Sequence, residues 1–74
     1  MWNEDTTDLG WDLGWGEFVT ETSHAILVNL EDYGEQWIPK SQITPLSDLS
    51  GGLDPGACGN LEVTEWWAEQ KGWA

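Results

Sequence analysis

Basic residues are almost absent from this chain. Two lysines and no arginine stand against fourteen aspartates and glutamates, which gives the 74 residues a net charge of −12 at pH 7. Such a surface repels phosphate backbones and anionic membranes, so nucleic acid and membranes are disfavoured as partners. A basic protein surface is the favoured partner, because opposite charges attract and steer association.

Cysteine and histidine are equally scarce, since Cys58 and His24 are the only ones. A disulfide within the chain is therefore excluded, and no group of residues has the spacing of a zinc site. Nothing in the spacing aligns Cys58 with His24 as a nucleophile and its base, and no glycine-rich phosphate-binding motif is present. We predict that the protein is not an enzyme and uses no cofactor or metal.

Long hydrophobic runs are also missing. The longest, Ala25 to Val28, is much too short to span a bilayer. No positively charged segment precedes an apolar one, as it would in a signal peptide. A lone cysteine fits a reducing compartment, so we expect a soluble, cytoplasmic protein.

Tryptophan, by contrast, is abundant, with seven in the chain. A single core in a domain below roughly 80 residues supplies only about 3–5 kcal/mol. Each large aromatic side chain can bury about 150–250 Å², so roughly five or six buried tryptophans could replace a larger aliphatic core. We therefore predict a core packed with indole rings.

Residues 1–16 contain a tandem repeat, in which Asp8-Leu9-Gly10-Trp11 is followed by Asp12-Leu13-Gly14-Trp15. Spacing of four would place Leu and Trp on one helix face, but two glycines in two turns oppose a helix. We interpret residues 1–16 as an acidic, turn-rich arm. Its tryptophans either tuck into the core or form an exposed hook for a partner.

Residues 17–74 are predicted to form a single small β domain. A first strand is expected over 17–22, and a central strand, covered on both faces, over 25–30. Gly34 supplies the positive φ of a turn, after which Glu35–Ile38 returns as an antiparallel partner.

The rest of this domain is predicted from local signals. Pro39 ends the hairpin, and a 3₁₀ turn over "PKSQI" leads Ile43 back to the core. A long loop over 44–60 precedes a short strand, "LEVT". Thr64 as N-cap and Gly72 at the C-terminal end predict a helix over 65–71. The expected fold is mainly β: a small antiparallel sheet or an SH3-like, partly open barrel with a short C-terminal helix.

The stretch "WIPKSQI" after a strand–turn–strand pattern resembles the last hairpin of Src-homology-3-type barrels. Trp37, Ile38, Pro39 and Ile43 occupy matching roles. The acidic specificity loop of those peptide-binding domains is not recognisable here. Binding of proline-rich peptides is therefore not carried over.

A closer resemblance is to small acidic proteins encoded by bacteriophages and other mobile elements. It rests on Ala25 to Val28, on Trp37 to Ile43 and on Glu65 to Gly72, and it covers about half of the chain. The "DLGW" repeat and the "SGGLDPGACGN" loop depart from that pattern. The resemblance implies a setting of host takeover or DNA metabolism in the host-cell cytoplasm, without a mechanism.

The leading hypothesis is a phage-type interaction protein that binds a basic surface of a nucleic-acid-processing or defence protein. Carboxylates would imitate phosphates, so that the protein acts as a nucleic-acid mimic or inhibitor, and exposed tryptophans would anchor the contact. The candidate partner-binding residues are Asp8, Trp11, Asp12, Trp15, Glu31, Asp32, Glu35, Lys40, Glu62, Glu65, Trp66 and Glu69.

Three other interpretations stay open. The carboxylates could serve solubility alone. An outward-facing tryptophan on the helix would favour a homo-oligomer, and thus a self-assembling structural or accessory protein of phage replication or recombination. Tryptophans could also stack on single-stranded nucleic acid, although the basic groove of such proteins is missing. Lys40 has a structural role open to it as well, with its stem over a tryptophan and its ammonium near carboxylates.

Overall fold

Four antiparallel strands form one open sheet in the computed structural model, which describes residues 10–74. The strands follow the order β3-β2-β1-β4 across the sheet. The elements along the chain are β1 (Gly10–Glu21), β2 (Ala25–Leu30), β3 (Gly34–Pro39), a 3₁₀ turn (Lys40–Gln42), β4 (Cys58–Thr64) and α1 (Glu65–Gln70). The predicted mainly β fold with a short C-terminal helix is confirmed.

The hairpin of β2 and β3 is confirmed. Its register pairs Leu30 with Gly34, and Gly34 has a φ of +73°, as the turn requires. Strand β2 lies between β3 and β1, so it is central. The prediction that both its faces are covered is wrong, because Leu27 is half-buried and Asn29 is exposed on the second face.

Strand β1 begins earlier than predicted, at Gly10, and continues without a break across residues 16 and 17. For residues 10–16 the predicted turn-rich arm is therefore wrong, and residues 1–9 lie outside the described part. Pairing with β4 explains the difference, since it satisfies the backbone of residues that have weak local strand preference. A bulge between Asp12 and Gly14 is accommodated by Gly14, whose φ is +92°.

The core is aliphatic apart from Phe18, and the predicted indole core is wrong. None of the six tryptophans in residues 10–74 is buried, although three of them pack half-buried against the edge of the core. Side chains alternate between the two faces of each strand, and the inward positions hold mostly Leu, Ile and Val. The interior beneath one small sheet is narrow, so these smaller side chains fill it. The buried residues are Leu13, Phe18, Ile26, Val28, Leu30, Ile38, Leu49, Leu61, Val63 and Ala68.

The segment after β3 runs to the opposite edge of the sheet, where β4 lies. The predicted 3₁₀ turn is present over Lys40–Gln42, and Ile43 then forms a bridge with Val63 on β4. The amide of Thr44 donates to the carbonyl of Glu62 at 3.0 Å, so the loop covers the outer edge of β4. Strand β3 remains an edge strand within the described residues.

Helix α1 begins as predicted. The side chain of Thr64 accepts a hydrogen bond from the amide of Trp67 at 3.2 Å, which is an N-cap. The helix ends at Gln70, one residue before the predicted end, and Lys71 is its C-cap. Ala68 is buried in the core, so α1 covers the inner face of the sheet.

Candidate functional site

The face of the sheet turned away from α1 is the candidate site, and we call it the outer face. Its side chains alternate along each strand with buried ones and therefore point away from the core. The outer face consists of Trp15 and Glu17 on β1, Leu27 and Asn29 on β2, Glu35 and Trp37 on β3, and Cys58 and Asn60 on β4.

One row of polar side chains runs across all four strands of the outer face. Glu17 is paired with Cys58 on one side and with Asn29 on the other, and Asn29 is paired with Glu35. Directly paired residues have their Cβ atoms about 4.5–5.5 Å apart, so these side chains are neighbours. The row presents two carboxylates and one amide to solvent, all three of them exposed.

Two tryptophans lie on opposite sides of this row. Trp15 precedes Glu17 on β1 and is 50% exposed, and Trp37 follows Glu35 on β3 and is also 50% exposed. Half of each indole surface is thus available to a partner. Tryptophan exposed in this way is typical of binding surfaces, because it offers a large and rigid contact area.

A cleft of about 230 Å³ opens beside Trp15 on the outer face. Gly16 contributes to its lining, and a Cβ atom there would lie 2.8 Å from the Leu30 Cδ2 atom, so a larger residue would force the Leu30 side chain to shift. The residues that line the cleft are Trp15, Gly16, Glu17, Asn29, Glu31 and Cys58. An indole and two carboxylates therefore border one concave space.

Both lysines are engaged within the fold, away from the outer face. The Lys40 ammonium lies 2.8 Å from the Glu21 carboxylate. This hydrogen bond, together with one from the amide of Gly52, lowers the pKa of Glu21 below its ordinary value. The prediction that the Lys40 ammonium lies near a carboxylate is therefore confirmed. The Lys71 ammonium lies 5.7 Å from the ring centroids of both Trp67 and Trp73, in reach of a cation–π interaction.

The acidic residues are otherwise without cationic partners in the described part of the chain. Eleven of the fourteen lie in residues 10–74, and Glu21 is the one that forms a salt bridge. Some carboxylates accept hydrogen bonds from uncharged groups instead. Glu62, for example, accepts a hydrogen bond from the Thr44 hydroxyl at 2.6 Å.

The predicted partner-binding residues fall into two groups. Trp15, Glu31 and Glu35 lie on the outer face or at its cleft. Glu65, Trp66 and Glu69 lie on α1, on the other side of the sheet, with Trp66 60% exposed.

Of the remaining predicted residues, Asp12 and Glu62 are paired with each other and continue the outer face beyond Trp15, and the others lie apart from both groups. Asp12 accepts a hydrogen bond from the amide of Gly14 at the β1 bulge, and Asp32 lies in the exposed turn nearby. Trp11 packs half-buried against the core, Lys40 is paired with Glu21, and Glu62 is half-buried. Asp8 lies outside the described residues.

Sequence reasoning missed six residues of the outer face: Glu17, Leu27, Asn29, Trp37, Cys58 and Asn60. A signal for one of them was present. Trp37 is followed by Ile38, and in an edge strand only one of two adjacent residues can face the core. The others became visible only when the register placed β1 between β2 and β4.

Comparisons with protein-family models, with curated proteins and with solved structures found no match to this chain. The resemblance to bacteriophage proteins therefore stays a prediction. Within residues 10–74, the structure contains no cluster of three or more side chains suited to binding a metal ion. No helix in this part has the length and hydropathy needed to span a membrane.

Proposed function

We propose that this protein is a small acidic interaction module. It binds a basic surface of a nucleic-acid-processing or defence protein, where its carboxylates take the place of phosphates and block access of nucleic acid. The resemblance to bacteriophage proteins supplies the setting, which is the cytoplasm of an infected host cell. The protein catalyses no reaction and needs no cofactor.

One observation carries this proposal. Both cations of the chain are used inside the fold, while the acidic residues other than Glu21 have no cationic partner among the described residues. Since a uniformly charged surface opposes folding by self-repulsion, a solubilising role alone would be served by fewer charges. An uncompensated negative surface with exposed tryptophans combines electrostatic steering with anchors for contact.

Capture from a bacterial lysate tests this proposal. The immobilised protein should retain nucleic-acid-processing or defence proteins at low salt and release them as salt rises, because screening weakens attraction between surface charges. Duplex DNA should compete for the same proteins. Recovery of no such protein at low salt, or capture that DNA does not affect, would contradict the proposal.

A second candidate is self-association, which the exposed Trp66 on α1 favours. A tryptophan on a short helix can be covered by a second copy of the chain. Size-exclusion chromatography with light scattering distinguishes the two. A concentrated sample that stays monomeric at moderate salt would remove this candidate, whereas a dimer abolished by Trp66→Ser would support it.

A further inference from the structure

We infer that the outer face is the docking surface for the basic partner, and that the cleft beside Trp15 receives an arginine side chain from it. This inference rests on the proposed function and adds the place of contact and the chemistry of recognition. It makes no use of the tryptophan and carboxylates on α1, which lie on the other side of the sheet.

The lining of the cleft matches a guanidinium group. Trp15 offers an indole surface on which a planar cation can stack, and Glu17 and Glu31 offer carboxylates that can accept its N–H groups. Asn29 adds a further acceptor through its side-chain carbonyl. A lysine ammonium would meet the same negative charge. It lacks the planar shape that stacks on an indole and the paired N–H groups that form bidentate hydrogen bonds with a carboxylate.

The size of the cleft also points to a single side chain. Pockets that enclose a drug-sized molecule measure about 300–1,000 Å³. The cleft measures about 230 Å³, so it suits one long side chain presented by a larger partner. A polypeptide partner that inserts one side chain would keep most of its contact outside the cleft.

Trp37 provides the second anchor of the same surface. Trp15 and Trp37 are separated by two strand spacings, about 10 Å, across the sheet and by four residues, about 13 Å, along the strands. The total of about 16 Å is spanned by roughly five residues of an extended partner segment. Between them lie Glu17, Asn29 and Glu35, which favour positive charge in that segment. The same carboxylates oppose a phosphate backbone and a second copy of this acidic chain.

Fluorescence anisotropy with two labelled peptides tests the inference. One peptide alternates arginine with glycine, and the other alternates lysine with glycine. We expect the arginine peptide to bind more tightly at low salt. Trp15→Leu, and separately the double variant Glu17→Gln/Glu31→Gln, should each weaken its binding about fivefold or more, which corresponds to about 1 kcal/mol.

Matched controls are available on α1. Trp66→Leu removes an indole that is 60% exposed, against 50% for Trp15, and Glu65→Gln/Glu69→Gln removes the same number of charges as the cleft variant. These variants should leave binding within about twofold of the wild type. In the wild-type protein, peptide addition should shift the NMR signals of the Trp15 indole N–H and the Asn29 side-chain amide, which requires no substitution.

The outcomes separate the two proposals. If the arginine peptide binds but the cleft variants and the α1 variants weaken it equally, charge alone drives binding, and the inference is wrong while the proposed function stands. Equal affinity for the two peptides, or NMR signals of the cleft that do not move, would also overturn the inference. If neither peptide binds at low salt, the proposed function fails as well.

Discussion

Glu21 shows how a single residue of this chain is tied to the fold. Its carboxylate pairs with Lys40 and accepts hydrogen bonds from the amide of Gly52 at 3.1 and 3.2 Å. It thus joins the end of β1, the 3₁₀ turn and the long loop. A partly exposed pair of this kind contributes little to stability, but among the described residues it is also the one salt bridge that offsets a negative charge.

Glu21→Gln should destabilise the protein at neutral pH and lose this effect in acid. The pKa of Glu21 is lowered in the folded state, so folding favours its charged form. The stabilising contribution is complete above the ordinary carboxyl pKa of 4.5 and disappears as pH falls through the lower folded-state value. Thermal unfolding followed by circular dichroism over this pH range measures the effect.

Glu35→Gln is the control, because Glu35 is exposed and forms no salt bridge. Removing its charge should relieve repulsion and should not lower the melting temperature. A difference between wild type and Glu21→Gln that stays constant from neutral pH into acid would contradict the assignment.

Gly16→Ala should destabilise the sheet. An added Cβ atom would lie 2.8 Å from the Leu30 side chain and 3.1 Å from the carbonyl oxygen of Asn29, so the core must shift. Overpacking of this kind costs about 1–3 kcal/mol. Urea denaturation measures the loss.

Cys58→Ala, at an exposed neighbouring position on β4, should change the free energy of unfolding by about 0.5 kcal/mol or less. If Gly16→Ala were as stable as this control, the close packing of β1 against β2 would be in error.

Among the elements, helix α1 depends on contacts beyond its own six residues. The Thr64 hydroxyl accepts from the Trp67 amide and donates to the Gln42 side chain at 2.6 Å, so it links the helix to the 3₁₀ turn. At the other end, Trp73 packs on Tyr33 with ring centroids 4.6 Å apart. A helix this short is not stable alone, and these contacts hold it on the sheet.

Thr64→Ala should therefore cost about 1 kcal/mol, within the usual range for loss of an N-cap. Thr64→Ser keeps the hydroxyl and should retain most of the stability. Chemical denaturation of the three proteins decides the matter. Equal destabilisation by both substitutions would assign the effect to the lost methyl group instead of the hydroxyl.

The elements differ in how far the sequence predicts them. The β2–β3 hairpin, the 3₁₀ turn and the start of α1 depend on neighbouring residues, such as Gly34, Pro39 and Thr64, and all three were predicted. The first half of β1 depends on pairing with β4, which lies more than forty residues away in the chain. Its glycines and bulge weaken any local strand signal, so the pattern there indicated turns.

The candidate site was predicted in part for the same reason. Trp15, Glu31 and Glu35 stood out by residue type and charge. The sheet register is what places these three residues on one surface with Asn29 and Trp37 and not with Trp66. The burial of the tryptophans was predicted wrongly because composition states how many indoles exist but not which side of a strand each one takes.

For the whole molecule, the negative charges that attract a basic partner also repel one another and so destabilise the fold. The described residues carry eleven side-chain carboxylates and two lysines, and their radius of gyration is 12.0 Å, so like charges are close together. At 0.1 M salt, repulsion between exposed charges more than about 10 Å apart is largely screened. The same salt screens the attraction to a basic partner.

Added sodium chloride should therefore raise the melting temperature of the free protein while it weakens binding of the arginine peptide. Differential scanning calorimetry and anisotropy measure the two effects on the same samples. Glu65→Gln/Glu69→Gln should show a smaller rise in melting temperature, because less repulsion remains to be screened. A melting temperature that does not depend on salt would contradict the expectation.

The placement of the two lysines also determines where proteases of trypsin-like specificity can cleave this chain. They cleave after lysine or arginine, so they have two target bonds. The bond after Lys40 is in the 3₁₀ turn, where the Lys40 amide donates to His24 and its carbonyl accepts from Ile43. The bond after Lys71 follows α1, where the Gly72 amide donates to Glu69. Cleavage after Lys71 needs only local fraying at the end of α1. Cleavage after Lys40 needs the 3₁₀ turn to open beside the sheet, so the rate of cleavage at Lys40 reports opening of the fold.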